Sequence, residues 1–94
     1  MITAIVLVNV AADRIPEVAQ AIADLENVAE TYSCAGDVDV IAITRVAEHE
    51  QLADLITTRL SKIDGVLGTA THIAFRSYPR QDIEAAFSIG FNDA

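Results

Sequence analysis

Residues 3–10 of the chain read Thr-Ala-Ile-Val-Leu-Val-Asn-Val. In an extended chain Ile5 and Leu7 point to one side, and the other side holds the apolar residues Ala4, Val6, Val8 and Val10. Apolar side chains on both sides are typical of a strand that is covered on both faces. A similar stretch, residues 38–46 (Val-Asp-Val-Ile-Ala-Ile-Thr-Arg-Val), indicates a second interior strand.

The segment between these two strands predicts one helix and one further strand. Pro16 suits the first turn of a helix, and Asp13 is suited to accept hydrogen bonds from the free amides there. Apolar residues then recur at helical spacing, at Ile15, Val18, Ile22 and Leu25. Residues 28–35 return to strand composition and end at Ala-Gly-Asp, which predicts a hairpin with residues 38–46.

The remainder of the chain predicts a second helix and a last strand. Residues 48–63 place one apolar stripe along a helix, formed by Leu52, Leu55, Ile56, Leu60 and Ile63. Asp64-Gly65 ends this helix, and residues 66–78 are predicted to form a strand before Pro79. Residues 81–88 are predicted to form a short helix at the end of one domain that covers residues 1–94.

The predicted order βαββαβ is the split β-α-β plan of an α+β, ferredoxin-like fold. In this plan the first and third strands are interior, which agrees with their apolar composition. Right-handed connections place both helices on one face of the sheet. Since the interior strands are apolar on both sides, we expect a second subunit to cover the other face, as in a dimeric α/β barrel.

Composition narrows the possible partners. The chain has 94 residues and a formal net charge of -8, with 14 Asp and Glu against six Lys and Arg. The basic residues are scattered, which argues against direct binding of nucleic acid.

The single cysteine, Cys34, cannot form an intramolecular disulfide. Without a signal peptide or a long apolar run, the sequence predicts a cytoplasmic protein that has no membrane contact.

Two motifs resemble a known family. Residues 31–42, Thr-Tyr-Ser-Cys-Ala-Gly-Asp-Val-Asp-Val-Ile-Ala, resemble the G-x-x-D hairpin in the effector-binding domain of the Lrp/AsnC family of amino-acid-responsive transcription regulators. Residues 65–73, Gly-Val-Leu-Gly-Thr-Ala-Thr-His-Ile, resemble the G-V-x-x-T-x-T last strand of that domain. Since residue 1 opens the first strand, the chain resembles a stand-alone effector domain, or RAM module. We therefore expect no helix-turn-helix and no DNA-binding activity.

The resemblance implies a dimer that assembles further and binds small amino acids at interfaces between dimers. Gly36, Asp37 and Asp39 would line the pocket, and Thr69 and Thr71 would supply hydroxyl groups. Val38 stands where the family often has Tyr or a polar residue, which leaves the selectivity for the ligand side chain open. The implied partners are an amino-acid effector, further copies of the chain and an Lrp/AsnC-type regulator.

The residues themselves suit this ligand, because a carboxylate accepts from an ammonium group while hydroxyls and turn amides donate to a carboxylate. The same residues are also common in ordinary turns and strands.

His49, His72 and Cys34 lack the spacing of a metal or catalytic cluster, so neither an enzyme nor a metal or cofactor site is predicted. Two alternatives remain: a small monooxygenase or isomerase of the dimeric α/β-barrel type, and an assembly module that binds no ligand.

Overall fold

Four antiparallel strands form one sheet in the computed structural model, which describes residues 1–80. The strands are β1 (Ile2–Val10), β2 (Val28–Ser33), β3 (Val40–Val46) and β4 (Val66–Ile73). Their spatial order is β2-β3-β1-β4, so β1 and β3 are the interior strands. The α+β, ferredoxin-like prediction is confirmed, as is the interior position of the two most apolar strands.

Helix α1 (Ile15–Ala23) follows a 3-10 turn (Ala12–Arg14) and carries Pro16 in its first turn. Its residues Val18 and Ile22 are fully buried. The predicted capping role of Asp13 is wrong, because no side chain caps either segment. Asp13 lies in the middle of the 3-10 turn, and Arg14 is the residue that directly precedes α1.

The second helical segment is less regular than its sequence pattern predicts. Helix α2 (His49–Asp54) continues into a π-helical turn (Leu55–Arg59) and a 3-10 turn (Leu60–Lys62). Gln51 Oε1 fixes its start by accepting from the N–H groups of Ala47, at 2.8 Å, and Glu48, at 3.0 Å. The predicted apolar stripe still faces inward. Among residues 1–80, no helix is long and apolar enough to cross a bilayer.

One face of the sheet packs against the two helices and forms the core. Its side chains are excluded from solvent because both crossovers lie on this side. The buried apolar residues of the core are Ala4, Val6, Val8, Val10, Val18, Ile22, Val40, Ala42, Val46, Leu52, Leu55 and Leu60. Thr44 is also fully buried, and its hydroxyl donates to the carbonyl of Ala4 at 3.2 Å.

Strand β4 ends five residues before the predicted limit at residue 78. The amide of Ala74 still donates to the carbonyl of Thr3 at 2.9 Å. By the same register only Ile2 and Met1 remain beside the residues after Ala74, so the ladder cannot continue to residue 78. The short helix predicted over residues 81–88 lies outside the described residues.

Candidate functional site

The loop over residues 34–39 joins β2 to β3 and is tied to the end of β1. The Asp39 amide donates to the carbonyl of Val8 at 3.1 Å, and the Asp39 carbonyl accepts from the Cys34 amide at 2.9 Å. Asp39 Oδ2 accepts from the Val10 amide at 2.8 Å. At the tip, Gly36 has a φ of +125°, a conformation that side chains disfavour. The loop is therefore fixed at its base and turns at its tip.

The two predicted carboxylates differ in their surroundings. Asp37 is exposed at the loop tip, whereas Asp39 is half-buried and uses one oxygen to hold the backbone of β1. Asp37 is thus open to a cationic group from solvent. Asp39 already has a structural role, a feature that the sequence pattern alone did not reveal.

Thr69 and Thr71 lie on the last strand with both side chains exposed. They pair with Val8 and Val6 of β1, which are fully buried, and paired residues share one face of a sheet. The helices therefore cover β1 but leave this part of β4 uncovered. The hydroxyl groups of Thr69 and Thr71 are therefore exposed, and nothing within residues 1–80 packs over them.

The loop and Thr69 lie near the same end of β1, on opposite sides of that strand. The backbone of Val8 connects them, because it bonds to Asp39 on one side and lies opposite Thr69 on the other. Two strand spacings, about 10 Å, separate β3 from β4. None of the five predicted site residues lines either of the two most prominent clefts in the described part of the chain.

Two clefts lie at other positions. One is acidic and runs between the turn before β2 and helix α2, lined by Glu26, Asn27, Glu48, Glu50, Gln51, Asp54 and Arg59. Arg59 Nε lies 3.3 Å from Asp54 Oδ2, so the cation is already paired inside this cleft. The other is lined by Met1, Thr3, Arg45, Ala74, Phe75, Arg76 and Ser77. Sequence analysis missed both, because each joins residues that are distant along the chain.

The sheet face opposite the helices, called the open face below, is apolar at its centre. Ile5 lies between Ile43 and His72, and Leu7 lies between Ile41 and Ala70. The side chain of Ile5 is 37% exposed, and the two isoleucines of β3 are half-buried. Within residues 1–80, nothing packs over these side chains.

Polar groups flank the open face on its edge strands. On β2, Tyr32 is 54% exposed, and its hydroxyl donates to Glu30 Oε2 at 2.6 Å. This hydrogen bond and the negative charge of Glu30 raise the pKa of Tyr32 above its ordinary value. His72 lies on the other edge strand, β4, as the sequence predicts.

The remaining candidates for chemistry are dispersed. The thiol of Cys34 lies 3.7 Å from the carbonyl of Tyr32, and His49 begins helix α2. In the described range, no three His, Cys, Asp or Glu side chains are grouped so that they could hold a metal ion.

Comparison with known proteins relates the whole described region to one family. The family model of the Lrp/AsnC ligand binding domain matches residues 3–83. The HTH-type transcriptional regulator LrpA1 from Halobacterium salinarum is 35% identical over 72 residues, which make up 77% of this chain and 49% of that protein. The chain spans about half or less of the length of the curated relatives that it matches.

Solved structures share the fold of this chain. TTHA0845 from Thermus thermophilus is 42% identical and superposes with a TM-score of 0.81, over 85% of this chain and 100% of that one. NMB0573 from Neisseria meningitidis, a transcriptional regulator solved as a complex with L-Met, has a TM-score of 0.76 at 14% identity, over 84% of this chain and 53% of that one. At that identity the likeness concerns the fold.

Proposed function

This chain belongs to the family of Lrp/AsnC ligand-binding domains, and on that premise we propose that it binds a free amino acid and assembles into a homodimer or larger homo-oligomer. The observation that carries the proposal is that Asp37, on the β2–β3 loop, and Thr69 and Thr71, on β4, are all exposed polar residues. Within residues 1–80, these groups line neither of the two clefts described. A ligand that contacts these residues would lie at an interface between dimers, because Thr69 and Thr71 are on the helix side of the sheet and not on the open face.

Each end of an amino acid has a suitable group on this surface. The ammonium is a donor that the exposed carboxylate of Asp37 accepts, in a charge-assisted hydrogen bond. The ligand carboxylate accepts from the hydroxyls of Thr69 and Thr71 and from loop amides. The absence of a side chain at Gly36 permits close approach of the ligand to the loop backbone.

Asp39 supports the site through the loop. Its carboxylate holds the amide of Val10, so its loss would release the base of the loop from β1. We assign it a positioning role, with Asp37 as the group that faces the ligand. Together with Gly36 and the two threonines, they make up the proposed site.

The comparisons support a ligand of this class. NMB0573, which shares the fold, was solved with L-Met bound. The matching family model is named for ligand binding, and the related regulators act in transcription. We infer that this chain serves as an effector-binding and assembly module, either alone or together with a regulator of the same family.

We also propose that this domain does not itself bind DNA. Fourteen acidic residues against six basic ones give a field that repels polyanions. A mobility-shift assay at low salt tests this point, and tight, salt-sensitive binding would refute it.

Catalysis receives no support from the interior of the domain. An enzyme of the dimeric α/β-barrel type needs space between sheet and helices for its substrate. In the described region, that space is filled by fully buried apolar side chains such as Val8, Ile22 and Leu60. The proposal therefore favours binding over turnover.

Calorimetry with each of the twenty amino acids tests the proposed function. Asp37→Ala and Thr71→Val should each weaken binding by about 1–3 kcal/mol if a buried or charged hydrogen bond is lost. Asp39→Asn retains an oxygen for the Val10 amide and removes the charge, so it should bind more tightly than Asp39→Ala. Asp13→Ala and Thr58→Val, exposed positions on helical segments, serve as matched controls.

Assembly should respond to the same ligand, because a ligand that binds only the assembled form stabilises it by mass action. A hundredfold excess over the dissociation constant corresponds to about 2.7 kcal/mol in a thermal-shift experiment. If no amino acid binds with millimolar affinity or better, the ligand proposal is wrong, and a ligand-free assembly module should replace it.

A further inference from the structure

The cleft between Met1, Thr3, Arg45 and residues 74–77, called the arginine cleft below, contains two guanidinium groups. Thr3 of β1 pairs with Arg45 of β3, and the Thr3 carbonyl accepts from the amide of Ala74, which directly follows β4. The next three residues, 75–77, continue the lining and bring Arg76 to the same cleft. Its volume of about 370 Å³ lies within the range of sites for small molecules.

The charge of the arginine cleft contrasts with that of the chain. The chain has a formal net charge of -8, yet no Asp or Glu of the described range lines this cleft. Arg14 and Arg59 lie within 4.0 Å of carboxylates, whereas Arg45 and Arg76 form no ion pair with any residue in 1–80. Both of the latter are exposed. Two guanidinium groups are therefore available to an anion from solvent.

The arginine cleft is separate from the proposed amino-acid site. The loop over residues 34–39 bonds to Val8 and Val10 near the end of β1, whereas Thr3 lies near its start. About 17 Å of strand separates Thr3 from Val8. Thr3 alternates with Ile5 along β1, so it belongs to the last row of the open face. The cleft thus lies at the border of that face and not at its centre.

We propose that the arginine cleft binds the phosphate group of a small organic phosphate whose flat ring packs on Phe75, as in a free mononucleotide. This inference does not rest on the proposed amino-acid binding. It assigns a second class of ligand to the domain, at the opposite end of β1.

A phosphate monoester matches the polar groups of the cleft. Near neutral pH it carries a charge close to -2 and three acceptor oxygens. A guanidinium group donates to two such oxygens at once, and two guanidinium groups balance the charge. The hydroxyls of Thr3 and Ser77 are further donors in the same cleft. A carboxylate has only two oxygens and one charge, so it would leave part of this donor set unused.

The ring of Phe75 provides a contact for the rest of the ligand. Phe75 is 97% exposed, so no residue of the described range covers it. It directly precedes Arg76, which places an aromatic ring and a guanidinium group on one short segment of the cleft. Stacking of a flat base on an aromatic side chain strengthens binding by about tenfold. The ligand should therefore combine a phosphate with a ring.

A single nucleotide is also compatible with the acidity of the chain. Nucleic acid requires basic contacts along a row of phosphates, whereas one phosphate requires only one basic cluster. The arginine cleft supplies that cluster, and the net negative charge still repels a polyanion.

Nuclear magnetic resonance titration of the full chain with three probes tests this inference. Adenosine monophosphate (AMP) contains both phosphate and base, ribose 5-phosphate lacks the base, and adenosine lacks the phosphate. AMP should bind with millimolar affinity or better, ribose 5-phosphate about tenfold more weakly, and adenosine without detectable saturation. The amide signals of Thr3, Arg45 and Phe75 should shift, and those of residues 36–39 should not.

Substitutions in the cleft separate the two parts of the ligand. Arg45→Gln and Arg76→Gln should each weaken AMP binding by about tenfold or more, because each removes a charged donor. Phe75→Ala should lower the affinity for AMP to that for ribose 5-phosphate and leave the latter unchanged. Arg80→Gln removes the same charge from an exposed residue outside the cleft, so this matched control should bind both probes as the wild type does.

Circular dichroism establishes that each variant is folded, and Arg76→Gln changes a residue outside the strands, so it tests the cleft even if Arg45→Gln unfolds. The inference is overturned if AMP fails to bind with millimolar affinity, or if Arg80→Gln weakens binding as much as the cleft variants do. Equal affinities for AMP and ribose 5-phosphate would overturn the contact with Phe75. Asp37→Ala should retain AMP binding, which keeps this test distinct from that of the amino-acid site.

Discussion

Strand β1 presents similar apolar side chains to two different environments. On the helix side, Val6 and Val8 are fully buried by the chain's own helices. On the open side, Ile5 is 37% exposed and Leu7 is half-buried, although neither is more polar than the valines. The difference lies in what covers each face within residues 1–80. Two helices cover one face of the sheet, and no element within residues 1–80 covers the other, where we propose that a second copy packs.

This contrast separates folding from assembly. Side chains on the helix side should determine the stability of each protomer, since their burial does not depend on concentration. Side chains on the open side should determine association, since their burial requires a partner. Substitutions on the two sides should therefore differ in the property that they change.

Leu60→Ala should have the largest effect on folding. Leu60 is fully buried in the core beneath the sheet, so truncation leaves a cavity and should cost about 2–5 kcal/mol of unfolding free energy. Urea unfolding measures this loss. The loss should appear at every protein concentration. A cost below about 1 kcal/mol would show that the helix side is not the core described above.

Ile5→Asp should act on assembly instead. A carboxylate at the centre of the open face would be buried without a partner in the dimer, which should weaken association about a hundredfold or more. Light scattering should then report the mass of the protomer, while circular dichroism shows a folded domain. Ala53→Asp, on the exposed side of α2, is the control and should leave the assembly unchanged. An Ile5→Asp variant that still assembles normally would contradict the role of the open face.

Two glycines with positive φ sharpen the comparison. A Cβ at Gly65 would lie 2.9 Å from both Arg14 Cβ and Val18 Cγ2, whereas a Cβ at Gly36 would meet no atom within 4 Å. Both alanine variants carry backbone strain, and only Gly65→Ala also collides with α1. Gly65→Ala should cost about 2–3 kcal/mol and Gly36→Ala about 1 kcal/mol in thermal unfolding. Equal costs would mean that the contact with α1 is unimportant.

The smallest expected effect is the contribution of Tyr32 to the pH dependence of folding stability. Its pKa is raised, because it donates to Glu30 and lies beside that negative charge. The folded state thus holds this proton more tightly than the unfolded state does. The resulting stabilisation is present below about pH 10 and is lost as pH rises through the raised pKa.

Absorbance titration in a Tyr78→Phe background isolates Tyr32, because the chain has two tyrosines. Glu30→Gln should lower the pKa of Tyr32 toward its ordinary value. An unchanged titration would show that the hydrogen bond to Glu30 does not persist in solution.

Local patterns were sufficient to predict the fold. The two-sided apolar strands, the turn at Gly36 and the helical stripes predict the strand order and the positions of both helices. The details that sequence missed depend on neighbours. Strand β4 stops short of residue 78, because the antiparallel register leaves only the first three residues of the chain beyond its last pair, and Asp13 falls inside a 3-10 turn rather than at a cap.

The site was less accessible to prediction from sequence. The motifs place Asp37, Asp39, Thr69 and Thr71 on a loop and a strand that share one end of the sheet. They do not reveal that Asp39 bonds to Val10, a contact between residues 29 positions apart. Nor does the sequence show that the helices leave β4 uncovered, since that depends on where α2 packs.

The molar mass of the wild-type protein in dilute solution tests the central claim most directly. Light scattering coupled to size exclusion, over a dilution series in the micromolar range, should give at least twice the protomer mass of 10.1 kDa. A species of 10.1 kDa throughout the series would contradict the claim that a second copy covers the open face.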